Sequence, residues 1–291
     1  MDESKTLNRM PVVAGSFYSS DPEELQEILK KLFDQAVSPD QERNIRAVIS
    51  PHAGYVFSGQ VAASGFKQLD PNAEYDHIFL IGSSHHVSFE GASVYSKGNY
   101  FTPLGEVEVD CELANKLIND NDCFTFQSGA HSSEHSLEVQ LPFLQYWLNK
   151  TIRIIPIMLA TQNPEKTKEI SKALLPYFNE KTLFVISTDL SHYPNYKDAL
   201  EADGNMIDAI QTGSADKLQK AITKNSETAY PNLLTSMCGW TSVLCLLYLA
   251  EMEKELEFTK VQYLNSGDSL YKDKDRVVGY VSMILTRKNN P

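Results

Sequence analysis

Six of the seven histidines stand in short polar turns and not in apolar runs. Three of these turns, PHAGY, GSSHH and STDLSHY, bring His52, His85 and His192 just after apolar, β-rich stretches. Neutral imidazole is the commonest metal ligand, and a catalytic metal takes about three protein ligands with a position left open. His52 and His85 could supply two such ligands, and His192 could move a proton. The competing interpretation is that each is an ordinary hydrogen-bonded turn residue.

Strands alternate with helices along most of the chain and would position these histidines. The strands are predicted at residues 45–50, 77–82, 152–159, 183–187, 257–264 and 276–285. The helices are predicted at residues 22–33, 58–67, 164–178, 196–211, 215–223 and 231–250. This alternation predicts one α/β domain over residues 1–291, with a largely parallel or mixed central sheet and helices on both faces. Such sheets bind ligands at the carboxyl ends of their strands, where the three histidines fall.

The net charge of −12 argues against nucleic acid or an anionic membrane as a partner, because phosphate groups are bound by clustered Lys and Arg. The opening MDESKTLNRM lacks the apolar stretch of a secretory signal. Four cysteines without a CxxC pair indicate free thiols in a reducing compartment. We therefore expect a cytoplasmic protein.

Residues 231–250 carry no charged side chain, over a length close to the roughly 20 residues that span a bilayer. Asn232, Thr235, Ser236 and Thr241 make the segment too polar for a lone membrane span. We therefore expect a buried core helix around Cys238 and no membrane insertion.

Several motifs are shared with one known family. They are AGSFY at 14–18, PHAGY at 51–55, GSSHH at 82–86, HSLEVQLP at 135–142, STDLSHY at 187–193, CGW at 238–240, NSGD at 265–268 and VVGY at 277–280. With these motifs the chain resembles the Memo family over nearly its whole length. It is most similar to the prokaryotic type called AmmeMemoRadiSam system protein B. The resemblance implies a fold similar to that of the class III extradiol ring-cleaving dioxygenases.

The resemblance also implies a metal-capable pocket. By the family pattern the metal-facing residues correspond to His52, His85 and Cys238, and Asp189 and His192 line the same pocket. Extradiol dioxygenases hold ferrous iron with two histidines and a carboxylate, whereas here a thiol takes the place of the acid. A thiolate is a softer ligand, so we expect copper or Fe(II), with zinc less favoured, and the replacement disfavours ordinary ring cleavage. The alternative is that Cys238 is an inert buried residue.

The remaining polar residues of these motifs have two interpretations each. We assign acid-base work to His192, whereas Asp189 either shares that work or caps the turn that follows it. A helix beginning near Ser132 would place His135 and Glu138 on one face, where they either reach the pocket or serve packing. The residues expected to support the site are His86, His135 and Glu138.

Three functions are compatible with this pattern. The first is a non-haem metal oxidoreductase that acts on a small molecule or peptide in the pocket. The second is a catalytically inactive binding module that recognises a peptide or a protein partner. The third is an accessory factor of a radical-SAM-associated modification system, which the family resemblance allows.

Overall fold

The computed structural model describes residues 7–41 and 44–288. In these ranges the strands are β1 (Ile45–Ser50), β2 (His77–Ser83), β3 (Ala92–Val94), β4 (Tyr100–Thr102), β5 (Gly105–Val109), β6 (Phe124–Thr125), β7 (Arg153–Leu159), β8 (Thr182–Ser187), β9 (Leu256–Asn265) and β10 (Gly279–Arg287). The α-helices are α1 (Pro22–Gln35), α2 (Tyr55–Phe66), α3 (Cys111–Asp120), α4 (Leu141–Trp147), α5 (Pro164–Leu174), α6 (Tyr196–Gln211), α7 (Ala215–Thr228) and α8 (Trp240–Met252). Residues 1–6, which carry much of the expectation that no secretory signal is present, lie outside the described ranges.

The strands form one mixed sheet in the order β4-β5-β7-β2-β8-β1-β10-β9. Strands β5, β7, β2, β8 and β1 run parallel to one another, and β10 and β9 close one edge in the antiparallel sense. The short strands β3 and β6 extend the sheet alongside the second half of β7. The predicted α/β class with a largely parallel or mixed sheet is confirmed.

Helices cover both faces of the sheet, so its central strands β1, β2 and β8 are buried at every residue except the first of β2. On one face, side chains of α1, α2 and α4 such as Leu29 and Phe66 pack against Val48 and Leu80. On the other face, α3 and α5 to α8 cover alternate residues of the same strands, among them Ile49. Two apolar cores therefore fix the sheet from above and below, as parallel sheets require.

The carboxyl ends of three neighbouring strands lie level with one another. Ser187 of β8 pairs with Ser50 of β1 on one side and with Gly82 of β2 on the other. The residues that follow this row therefore leave the sheet side by side at the same edge.

Two predicted helices differ from the structure. Residues 231–239 form a loop, and α8 begins at Trp240, because His192 pairs with Thr235 through its N–H and the backbone N–H of Leu234 donates to the carbonyl of His192. No helix begins near Ser132, since the carboxylate of Glu134 accepts from the N–H of Ser136 and holds the backbone in a turn. A 3-10 helix starts only at Glu138.

The sequence predicts no membrane insertion, and helix length and polarity bear on that prediction. Among the described residues, no helix has both the length and the apolar character needed to cross a bilayer.

Candidate metal centre

His52 follows β1 in a turn that is held from two sides. Its side chain is buried, and Nδ1 lies 2.8 Å from Oγ of Ser187. Its backbone N–H donates to Oδ1 of Asp189 at 2.8 Å. Burial, followed by the neighbouring charge of His85, holds the pKa of His52 well below its usual range. The ring is therefore neutral and presents Nε2 as its remaining ring nitrogen.

His85 follows β2 and is held by a single carboxylate. Its Nδ1 and its backbone N–H each lie 2.9 Å from an oxygen of Glu134. Burial lowers the pKa of His85, but the hydrogen bond and the charge of Glu134 together raise it above the usual value. The same contacts hold the pKa of Glu134 below its usual range against the effect of burial, so Glu134 is a carboxylate.

Cys238 lies in the loop before α8 and not in the helix. Its Sγ lies 3.3 Å from Nε2 of His52 and accepts a hydrogen bond of 3.3 Å from the backbone N–H of Asp189. Burial and then the charge of Asp189 raise the pKa of the thiol, so the metal-free side chain is a neutral S–H. A bound cation would displace that proton.

The position directly after Cys238 has no room for a side chain, and Gly239 occupies it. A Cβ at this position would lie 2.5 Å from the carbonyl oxygen of Ser187 and 2.7 Å from Cβ of Thr188. The backbone N–H of Gly239 also donates to Oγ1 of Thr188 at 3.0 Å. Only a residue without a side chain lets the loop lie directly on the end of β8, which brings Sγ of Cys238 to the histidines.

One ligand atom from each of His52, His85 and Cys238 lies within 4.8 Å of the other two. Because Ser187 and Glu134 occupy the Nδ1 atoms, Nε2 of each histidine and the sulfur are the atoms that could bind a metal. Two imidazoles and one sulfur form a donor set that suits copper and is compatible with iron and zinc. The residues present therefore fit a bound metal.

Asp189 and His192 follow β8 and flank this set. Oδ2 of Asp189 lies 3.9 Å from Nε2 of His52, and burial raises the pKa of Asp189 to about 7. Nε2 of His192 is buried without a hydrogen-bond partner among the described residues. Burial and then the charge of His85 lower the pKa of His192 to about 4, so its ring is neutral near pH 7.

A family model described as Memo-like protein matches residues 9–284, which include every residue of this site. The chain belongs to the Memo family. Its curated relatives include a MEMO1 family protein of Methanobrevibacter smithii, 33% identical over 95% of this chain and 99% of the relative. Another, from Sulfolobus acidocaldarius, is 32% identical over 94% of this chain and 98% of the relative.

A solved structure of an uncharacterized protein from Escherichia coli K12 aligns with a TM-score of 0.48 at 12% identity, over 81% of this chain and 98% of that one. This distant likeness adds nothing to the family assignment.

The structure separates the three residues expected to support the Memo site. The ring of His135 lies 5.4 Å from that of His52 and 5.0 Å from that of His85, so His135 borders the pocket. Glu138 instead forms a buried ion pair with Arg9 and accepts from the hydroxyl of Tyr18 at 2.5 Å. Its carboxylate also accepts from the backbone of the N-terminal segment, and packing stays its predicted role.

His86 is exposed beside His85, and its backbone N–H donates to Oγ of Ser84 at 3.4 Å.

Sequence reasoning missed the residues that hold the two histidine rings in place. These are Glu134, Ser187 and Gln140. Glu134 and Gln140 lie in or beside the HSLEVQLP motif and Ser187 opens the STDLSHY motif, so the motifs hold the only signal that could have found them.

Proposed function

We propose that this Memo-family chain binds copper or ferrous iron through His52, His85 and Cys238 and works as a non-haem metal oxidoreductase. The observation that carries the proposal is the meeting of three ligand atoms within 4.8 Å, although the three residues come from separate loops. Such a metal, when bound, would supply one-electron chemistry and binding positions for oxygen or substrate.

In this proposal, His192 and Asp189, which flank the donor set, transfer the protons. His192 has a neutral ring, and its buried Nε2 has no hydrogen-bond partner in the described part of the chain, so it can accept a proton from a bound substrate. Asp189 has a pKa of about 7 and can hold or release a proton near neutral pH. Its carboxylate also accepts the backbone N–H of His52, so the same group fixes the ligand turn.

A small molecule or a peptide would enter beside Phe17. Its ring packs 5.0 Å from that of His135, and the same residue lines a groove of about 920 Å³. The groove also includes Val56 and Leu270, which are 50% and 87% exposed. A binding module for a peptide or protein partner is the second candidate function, and it is favoured by this groove, whose residue Phe17 contacts His135 at the border of the pocket.

Anaerobic titration with Cu(I), Fe(II) and Zn(II) tests metal binding. His85→Gln should weaken binding of copper and iron, whereas His86→Gln is the matched control, because it removes an exposed imidazole one residue away. Equal affinities of both variants and the wild type would overturn the metal site.

Oxygen uptake by metal-loaded protein, with a panel of catechols as probes, tests the oxidoreductase. Uptake that is lost in His192→Gln while the metal stays bound supports the proposal. Tight metal binding with no uptake for any probe would remove the oxidoreductase and favour the binding module.

A further inference from the structure

The hydroxyl of Ser187 has one hydrogen, and its neighbours decide where that hydrogen points. Oγ of Ser187 lies 2.7 Å from the backbone carbonyl oxygen of Ser136. A carbonyl oxygen can only accept, so the hydroxyl donates to it. Oγ is then an acceptor toward every other group that it contacts, including Nδ1 of His52 at 2.8 Å.

Gln140 supports the same direction. Its Nε2 lies 2.9 Å from the carbonyl oxygen of Pro51 and 3.1 Å from Oγ of Ser187. Turning the amide over would place Oε1 against a carbonyl oxygen, so the amide must donate on both sides. Ser187 thus accepts from Gln140 and from His52, and His52 carries its proton on Nδ1.

Glu134 imposes the same arrangement on His85. Oε2 of Glu134 accepts the backbone N–H of His85 at 2.9 Å, and Oε1 accepts that of Ser136 at 3.0 Å. A carboxylate has no hydrogen to donate, so the 2.9 Å contact from Nδ1 of His85 must carry the proton on the ring. In their neutral forms both histidines therefore present a bare Nε2 to the same space.

We propose that Glu134 and Ser187, the latter oriented by Gln140, are positioning residues that fix His52 and His85 as the Nδ1–H tautomer before any metal binds. Ser136 joins the two halves, because its N–H donates to Glu134 and its carbonyl accepts from Ser187. This inference deepens the proposed function. The tautomers follow from the hydrogen bonds alone, and only their use in metal binding rests on the proposed function. A ligand that is held in the correct tautomer and orientation costs less to recruit, as outer partners of metal-binding histidines generally show.

A competing arrangement would use His85, Glu134 and His135 as a second metal site, since one ligand atom of each also lies within 4.8 Å of the other two. In that case a cation would replace the proton between His85 and Glu134. The positioning role instead predicts one tightly bound metal per chain, because Oε1 of Glu134 already accepts from Ser136 and from His85. Binding of two equivalents with similar affinity would overturn the proposal.

Long-range proton–nitrogen NMR of metal-free protein labelled with nitrogen-15 histidine reads the tautomers directly. The spectra are recorded near pH 9, about two units or more above the ordinary imidazole pKa. His52→Gln and His85→Gln assign the signals by their loss. We expect both rings to show a protonated Nδ1 and a bare Nε2. A bare Nδ1 on either ring would overturn the proposal even if metal binds.

Two variants act as controls for each other. Ser187→Ala should change the nitrogen signals of His52 alone, and Glu134→Gln those of His85 alone, with each lowering metal affinity by roughly 10 to 100-fold. General loosening of the fold would instead disturb both rings in both variants, and that outcome contradicts the proposal. Correct tautomers in a wild type that binds no metal would remove the proposed function and leave the positioning intact. If a variant does not fold, the wild-type tautomers still decide.

Discussion

Sγ of Cys238 lies 3.3 Å from Nε2 of His52, although 186 residues separate the two along the chain. Both side chains are anchored to the end of the same strand. Ser187, the last residue of β8, holds the ring of His52, and the N–H of Asp189, two residues later, donates to the sulfur. The end of β8 therefore sets the spacing of the donor atoms, and changes there should affect both.

Cys238→Ser should weaken copper and iron binding by more than the roughly 10 to 100-fold that outer partners contribute, because a polarisable sulfur is lost from the donor set. The hydroxyl, which is partly buried at this position, costs up to about 3 kcal/mol of folding free energy if it finds no partner. Cys245→Ser is the control, since this buried thiol packs in α8 against Ser171. Anaerobic titrations of the three proteins compare them, and equal affinities would make Cys238 a packing residue.

Cys238→Glu should shift the preference of the site from copper toward ferrous iron, because a carboxylate is a harder ligand than a thiolate. The ratio of Cu(I) to Fe(II) affinity, measured in the variant and in the wild type, checks this expectation. A ratio that does not change would show that the side chain at this position does not select the metal.

Gly239→Ala should lower both stability and metal affinity. The new Cβ would meet the carbonyl of Ser187 at 2.5 Å, and overpacking of this kind costs about 1 to 3 kcal/mol. Gly204→Ala is the control. Beyond its chain neighbours and the backbone of its own helix, no atom of the described residues lies within 4 Å of the added Cβ, and alanine favours the interior of α6. Urea unfolding should show a loss for the first variant and no loss for the second. Two variants with the same stability would mean that the Cys238 loop moves freely.

Sequence patterns predicted the parts of the site that depend on local signals. Short apolar runs that end in polar turns placed His52, His85 and His192 at strand ends, and the helix predicted from residue 22 begins there as α1. The prediction of a helix around Cys238 was wrong. The uncharged run from Pro231 gives no sign that Asn232 adopts a positive φ of 62°. That turn, like the pairing of Thr235 with His192, depends on contacts far away in the chain.

Local sequence signals could not predict the partners of the histidines, for a related reason. Glu134 lies in an irregular segment without periodicity, and its carboxylate is committed to His85, 49 residues away. Strands β3 to β6 were missed because they have only two to five residues each and show no clear alternation.

Glu138→Gln should destabilise the protein by about 3 to 5 kcal/mol, because it leaves the guanidinium of Arg9 as an uncompensated buried charge. The carboxylate also accepts the N–H groups of Val12 and Val13, so the N-terminal segment should loosen with it. Asp34→Asn, which removes an exposed pair with Lys30, should change stability little. Denaturant unfolding measures both. Unchanged stability of Glu138→Gln would contradict the packing role. A loss of metal affinity without loss of stability would instead assign Glu138 to the metal pocket.

Stability below neutral pH should depend on His131. Its ring is buried between the hydroxyls of Tyr100 and Ser93, at 3.1 Å and 3.0 Å, and burial followed by the charge of Arg9 lowers its pKa to about 3. In the unfolded chain the pKa is about 6.5, so between these values the unfolded state binds a proton that the folded state refuses. The contribution of His131 to stability is therefore complete above about pH 6.5 and is lost as the pH falls toward 3, by at most about 1.4 kcal/mol per pH unit. His131→Gln removes this titration, so the difference in unfolding free energy between wild type and variant should narrow steadily from pH 7 to pH 4. A difference that is constant over this range would show that His131 titrates equally in both states.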